Sequence, residues 1–325
     1  MENTWMIIVN PNAGEGKGLK DWPYIQECLQ NNQIQFDSFF TEFPGHAIQK
    51  TSEFVEKGYR KFAVVGGDGS MNEVINGVFM QKTIATNEIL IANIPVGNGN
   101  DWGKTYNNPV KIAESVKLLR EGNRFKQDIG KLSYFSEGVK KVRYFANIAG
   151  FGFDALVVRD VQKAKDKGKS GALIYFSTLL MDLFKSKYIS GEVKIDDTVY
   201  RHKFLSIAAG VCKYNGGGMM ILPFSEPNNA KLDVTMILNL SKLGVIRNVL
   251  RLFSGTFVKV KKVRLGKGTT FSFSSDIPLK VETDGEFLGD TPSEIEILPT
   301  SLNVVVNSIN FDVNPKLKKY APSTI

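Results

Sequence analysis

Phe62-Ala63-Val64-Val65-Gly66-Gly67-Asp68-Gly69-Ser70-Met71-Asn72-Glu73 is the stretch on which the reading of this chain turns. The four residues Phe62–Val65 form a short continuous apolar run, as in a strand buried on both faces. Met71–Met80 reads as a helix. Between them, three glycines surround one carboxylate. Glycine costs backbone entropy, so such a cluster implies that the chain bends sharply or admits a ligand closely. Asp68 sits where strand becomes helix and has two readings. It caps the helix, or it holds Mg²⁺ beside a polyphosphate, since hard cations prefer oxygen ligands. Capping does not require the flanking glycines, so the metal reading is preferred.

The same strand–turn–helix rhythm extends outward from this block. Trp5–Val9 is an apolar run followed by a Gly-rich turn and a helical stretch through Trp22, Ile25 and Leu29. Ile34–Phe40, Phe62–Val65 and Ile89–Ile94 read as further strands, and Ala47–Lys57 and Val110–Arg120 as further helices. Repeated strand, crossover and strand predict a parallel sheet with helices on both faces. After about residue 125 the texture changes. Strands are expected at Lys126–Phe135 and Val142–Ala149, then one long helical region over Asp154–Lys187. Short strands follow at Val193–Ile195, Phe204–Val211, Leu232–Ile237, Phe257–Arg264, Thr269–Phe273, Leu279–Glu282, Glu294–Ile297 and Leu302–Val306. That pattern predicts a β-rich second domain, a sandwich or partly closed barrel.

Bulk properties narrow the class. The 325 residues suit two domains, and 42% hydrophobic with 23% charged residues argues against disorder and fibrous folds. Lys and Arg exceed Asp and Glu by 41 to 33, a formal charge of +8, which suits phosphorylated ligands or anionic lipid as well as plain solubility. The basic residues are dispersed and no nucleic-acid recognition motif is present, so DNA or RNA binding is a poor reading. Cys28 and Cys212 lie far apart without CxxC or Cys/His neighbours, which fits a reducing compartment and no zinc site. Met1–Trp5 has no basic n-region of a signal peptide, and no run reaches the roughly 18 apolar residues of a spanning helix. The expected location is cytoplasmic, with any membrane contact made from the surface.

Two more loops follow predicted strands and join the first at the carboxyl edge of the sheet, where open α/β folds bind ligands. Asn10-Pro11-Asn12-Ala13-Gly14-Glu15-Gly16-Lys17-Gly18 lets the backbone approach an anion at a helix N-terminus. It has neither Walker A nor GxGxxG spacing, and alone it reads equally as a plain turn. Pro95-Val96-Gly97-Asn98-Gly99-Asn100-Asp101 offers amide and carboxylate groups or, in the plainer reading, an Asn/Gly turn. Asp284-Gly285-Glu286, taken alone, reads as a hairpin turn.

Together, Asn10–Gly14, Gly66–Gly77 (GGDGSMNEVING) and Pro95–Asp101 resemble the catalytic domain of the diacylglycerol kinase family. That group includes bacterial lipid kinases and sphingosine kinases and is related to NAD kinases. The resemblance continues through Asn147–Asp154, Gly216–Gly218 and Asp284–Glu286, and so covers nearly the whole chain. It implies an α/β nucleotide domain over residues 1–125, joined by the C-terminal segment 300–325, and a β-sandwich-like lipid domain over 126–299. It implies ATP and Mg²⁺ as cofactors and a lipid alcohol as acceptor. Asn10, Pro11, Asn12, Ala13, Gly14, Thr41, Gly66, Gly67, Asp68, Gly69, Ser70, Asn72 and Asn98 would contact ATP. Asp68 would engage the magnesium, and Glu286 would be the general base. Phosphoryl transfer needs these elements: positioning, charge neutralisation and a carboxylate for the alcohol's proton.

Two departures stand out. Asn98 replaces the family's usual Thr. Asn229-Ala230 replaces an Asp-Gly pair that holds a structural magnesium in some bacterial members, which puts that second metal in doubt. The helical region carries Lys163, Lys165, Lys167 and Lys169 before the apolar Ala172–Phe176 and Leu179-Leu180, which could dock on anionic lipid or be a solvated turn before a core helix. A homodimer is admitted. The expected function is an ATP-dependent kinase for a diacylglycerol-like or sphingoid hydroxyl. The alternatives are a nucleotide- or lipid-binding regulator without turnover and a kinase for a non-lipid acceptor.

Overall fold

The computed structural model describes residues 1–97, 99–166 and 172–322. The chain forms two compact units, residues 1–129 with 299–311, and residues 130–298 with 312–325.

The first unit follows the alternation of its sequence. In chain order it contains β1 (Trp5–Val9), α1 (Ala13–Lys20), α2 (Trp22–Asn31), β2 (Phe36–Phe40), α3 (His46–Glu56), β3 (Lys61–Gly66), α4 (Asp68–Met80), β4 (Leu90–Pro95), α5 (Asp101–Thr105), α6 (Ile112–Glu121) and the start of β5 (Asn123–Ser136). The strands are parallel, in the order β2-β1-β3-β4. Val9 lies level with Phe40 and Val65, and Gly66 level with Pro95. The loops after β1, β2, β3 and β4 therefore leave from one edge. Beyond β4, Asn303 and Val304 of the chain's last strand pair in parallel with Leu90 and Ile91.

Every residue of β1 is buried, as expected of a strand covered on both faces. On one face Ile7, Val9, Val65 and Ile94 pack against Trp22, Ile25 and Leu29 of α2 and Val116 and Leu119 of α6. α3 and α4 lie so close together that a Cβ on Gly77 would sit 2.5 Å from the Ile48 carbonyl oxygen.

The second unit is antiparallel. It holds the rest of β5, then β6 (Val139–Phe145), β7 (Ile148–Gly152), α7 (Phe153–Asp166), α8 (Ala172–Lys185), β8 (Ile189–Ile195), β9 (Thr198–Gly210), β10 (Tyr214–Asn215), β11 (Met219–Met220), β12 (Leu232–Leu238), α9 (Lys242–Phe253), β13 (Val263–Gly268), β14 (Thr270–Ser275), β15 (Lys280–Thr283) and most of β16 (Glu286–Val306). The main path is β13-β12-β9-β7-β15-β16. Two long strands bend it into a sandwich. β9 pairs with β8 through residues 198–204 and with β7 through residues 206–210. β16 pairs with β15 and then with β14, which pairs with β8. The core centres on Phe151, Phe204, Phe271 and Phe273, whose rings meet at 5.3 to 6.0 Å.

Several elements differ from the sequence reading. The expected helical region over Asp154–Lys187 contains α7 and α8; residues 167–171 between them lie outside the described residues, so the basic run is described only in part. Phe257–Arg264 is not a strand throughout. Thr256–Lys259 forms a 3₁₀ turn and the strand starts at Val263, because Phe257 and Val258 are buried side by side rather than alternating. Val142–Ala149 is divided between β6 and β7, and the strands at Glu294–Ile297 and Leu302–Val306 are one strand.

Candidate functional site

The Gly-rich loops of the first unit are tied together by their own side chains. The Asn10 amide donates from Nδ2 to Ser70 Oγ at 2.9 Å, while its Oδ1 accepts the Asn12 amide at 3.0 Å. Gly14, Glu15 and Gly16 are all left-handed, with φ of 60°, 64° and 87°, so α1 starts with a backbone twist before it becomes regular. Gly14 has a second constraint: a Cβ there would lie 1.9 Å from the Val96 carbonyl oxygen of the third loop. Gly67 and Gly97 also touch backbone to backbone, since a Cβ on Gly97 would lie 2.8 Å from the Gly67 Cα. The glycines thus serve loop-against-loop packing at the sheet edge, in addition to any ligand.

Asp68 caps a helix, but not its own. Its Oδ2 accepts the Asp101 amide at 3.0 Å and its Oδ1 the Trp102 amide at 3.1 Å, at the N-terminus of α5. The helix dipole favours a carboxylate there. Glu73 does the same for α3: it accepts the Gly45 amide at 2.8 Å and the Ala47 amide at 3.2 Å. Sequence reasoning passed over Glu73. The available clue was that α3 starts after Gly45, which has no side chain with which to cap it.

The remaining nucleotide-loop residues are placed as follows. Thr41 follows β2 directly, its amide donating to the Val9 carbonyl at 2.9 Å. Gly66 ends β3 and Gly67 is the N-cap of α4, whose first turn holds Gly69 and Ser70, where helices leave amides without carbonyl partners. Pro11, Asn12 and Ala13 line the turn into α1. Asn72 is fully buried and its Oδ1 accepts from Asn76 at 3.1 Å, so it faces the core. Asn98 lies outside the described residues. Next to it, Asn100 is left-handed, donates to the Gly97 carbonyl at 2.6 Å, and keeps a buried Oδ1 with no hydrogen-bond partner.

This donor set fits Mg²⁺. Asp68 supplies carboxylate oxygens at the sheet edge, and Asn100 adds a buried amide oxygen with no hydrogen-bond partner. Magnesium is commonly held by one or two carboxylates completed by substrate phosphates and water.

In the second unit, segments far apart in sequence converge on one turn. Asp284 and Gly285, with φ of 50° and 82°, form the two-residue connection between β15 and β16. The Asp284 carboxylate accepts three buried amides: Ala146 at 3.0 Å, Asn147 at 3.1 Å and Ile148 at 3.1 Å. Glu282 accepts the Gly285 amide at 2.9 Å and Asn215 Nδ2 at 3.2 Å. Asn147 donates to the Tyr214 carbonyl at 2.7 Å. Gly150 makes room for Glu282, whose Oε1 would lie 2.5 Å from a Cβ there. Glu286, half-buried, follows as the first residue of β16, opposite Thr283.

Glu282 is the group sequence reasoning missed here. It lies in a strand between buried Val281 and Thr283 and is itself fully buried. Burial pushes its carboxyl up to about 8, helped by the Asp154 and Asp284 carboxylates and opposed by the Gly285 amide and Asn215. Desolvation also lifts Asp154 to about 6, offset in part by the Ser206 hydroxyl, which donates to it at 2.7 Å. At Asn229-Ala230, Asn229 Oδ1 accepts the Lys231 amide at 3.0 Å and Ala230 is left-handed with φ of 58°.

Both units match known domains. Residues 4–132 match the diacylglycerol kinase catalytic domain, and residues 147–306 match the YegS C-terminal NAD kinase beta sandwich-like domain. The chain belongs to the diacylglycerol kinase catalytic-domain family. Among its relatives, a diacylglycerol kinase of Staphylococcus saprophyticus is 28% identical over 92% of this chain and 93% of its own. A diacylglycerol kinase of Staphylococcus aureus strain MRSA252 is 26% identical over 92% and 90%. A crystal structure of a diacylglycerol kinase from Bacillus anthracis superimposes with a TM-score of 0.68 at 20% identity, over 94% of this chain and 97% of that one, a likeness of fold.

Proposed function

We propose that this chain is an ATP- and Mg²⁺-dependent lipid kinase that phosphorylates the hydroxyl of a diacylglycerol-like or sphingoid lipid. The observation that carries the reading is the buried cradle around Asp284-Gly285: three amides on Asp284 and one on Glu282 hold a turn that is followed at once by Glu286. A turn of this kind would need far less support if its only task were to reverse the chain. Family membership supports a nucleotide donor, and the relatives' names support a lipid acceptor.

In this reading the glycine loops after β1, β3 and β4 bind the ATP phosphates through backbone amides. Asp68, with Asn100, would hold Mg²⁺, which supplies charge neutralisation on the transferring group. Glu286 takes the proton of the lipid hydroxyl as its oxygen attacks the γ-phosphorus. The bond from that phosphorus to the bridging oxygen breaks, and ADP leaves with the electron pair. The enzyme works in the cytoplasm, peripheral to the membrane that holds its acceptor.

The test is transfer from labelled ATP to a total lipid extract, with the labelled product identified. Glu286→Gln should lower turnover by about a hundredfold or more while binding ATP normally, since general-base catalysis contributes on that scale. Asp68→Ala should abolish Mg²⁺-dependent transfer. Wild-type rates in both variants would sink the mechanism. ATP binding with no transfer to any lipid would favour a regulator.

A further inference from the structure

α9 has its apolar residues on the wrong side for a helix of a water-soluble surface. None of its residues is fully buried. Its inner side is fastened through Val245 and Leu252, which pack against the hydrophobic clusters around Leu205 and Phe257, and through the Lys242 ammonium, which donates to the Leu183 and Ser186 carbonyls. Yet Leu243, Ile246, Leu250 and Phe253 are 55%, 38%, 77% and 51% exposed. Their spacing, i, i+3, i+7 and i+10, makes one continuous outward stripe. Arg247 and Arg251, both exposed, form the stripe beside it. The helix contains no acidic residue, and neither arginine forms an ion pair among the described residues. Exposed Lys259, Lys261 and Lys262 follow shortly after it.

We propose that the outward face of α9 docks on an anionic phospholipid bilayer. A leucine and phenylalanine stripe next to an arginine stripe is the composition that lies in the headgroup boundary, with apolar side chains inserted and cations against phosphates. A second copy is a poorer occupant, because a twofold contact of this face would bring the Arg247 and Arg251 stripes of the two copies together with no acidic residue on the helix to offset them. The inference deepens the lipid-kinase reading, since such an enzyme meets its acceptor in a bilayer, but its test does not depend on turnover.

The full chain is sedimented with phosphatidylcholine vesicles with and without phosphatidylglycerol. The wild type should bind the anionic vesicles, and Leu250→Glu should weaken that binding by about tenfold or more, the scale of one leucine kept out of the apolar phase. The Arg247→Glu/Arg251→Glu double variant should weaken it at low salt, with a difference that shrinks as salt screens the charges. Leu250 is 77% exposed, so an unchanged urea midpoint would confirm that Leu250→Glu folds. Equal sedimentation of wild type and Leu250→Glu overturns the docking face, as does a wild type that ignores anionic vesicles. A concentration-dependent dimer dissolved by Leu250→Glu, with vesicle binding unchanged, assigns the face to a second copy and also overturns it. Turnover on dispersed short-chain diacylglycerol is read separately: no turnover there, with vesicle binding lost in Leu250→Glu, overturns the kinase reading and leaves the docking face standing.

Discussion

Glu282→Gln isolates the titration of one buried carboxyl. In the fold this group has a pKa of about 8, against an ordinary 4.5. Between those values the native state keeps the proton and the unfolded chain has released it. Stability contributed by the protonated, buried form is therefore complete at low pH and declines as pH rises, by about 1.4 kcal/mol per unit within the window. Above a pH of about 8 both states are ionised and the loss stops. From pH 6 to pH 8 the wild type should thus lose about 2 kcal/mol more than the variant. Glutamine keeps the shape and an oxygen for the Gly285 amide, so the two proteins should be close at pH 5. Asp154 titrates in the same sense, with a pKa of about 6, and is present in both proteins, so the difference keeps only its coupling to Glu282. The measurement is urea unfolding at pH 5, 6 and 8. Trp5, Trp22 and Trp102 all lie in the first unit, so unfolding of the second is followed by circular dichroism. A wild-type-minus-variant difference flat to within about 0.5 kcal/mol from pH 6 to 8 would refute a proton held on Glu282.

Three other substitutions test the packing. Gly14→Ala meets both a φ of 60° and the Val96 carbonyl oxygen at 1.9 Å, so it should cost about 2–4 kcal/mol in thermal or urea unfolding. Asp284→Ala strands three buried amides and should cost about 3–5 kcal/mol in the transition of the second unit; a loss under about 1 kcal/mol would mean that the cradle relaxes freely. Ala230→Gly relieves a φ of 58° and should raise stability by about 0.5–1 kcal/mol, visible as a higher melting temperature.

The periodicity of the first unit was legible because parallel strands covered on both faces are short, fully apolar and bounded by glycine. Trp5–Val9 meets that description as a sequence and as a strand. The second unit was less legible. Its long strands β9 and β16 change partners midway, and a single sequence carries no mark of which partner each half takes. α9 was missed because its stripes of apolar residues lie on both its inner and outer sides, which blurs the amphipathic pattern that marks a surface helix.

Gly66-Gly67-Asp68-Gly69 shows where the two sources of information divide. Residue type and spacing alone determined that the turn joins a buried strand to a helix, that it needs unusual backbone freedom, and that one carboxylate stands at the joint. Only the tertiary structure decided what that carboxylate touches. Asp68 accepts amides of Asp101 and Trp102, 33 and 34 residues away, because parallel β3 and β4 are neighbours and end level with one another. Glu282 and Asp284 follow the same rule. Their acidity is written in the sequence, but the desolvation and the amides of residues 146–148 come from the β6–β7 connection and the start of β7, which meet this turn only in the folded sheet.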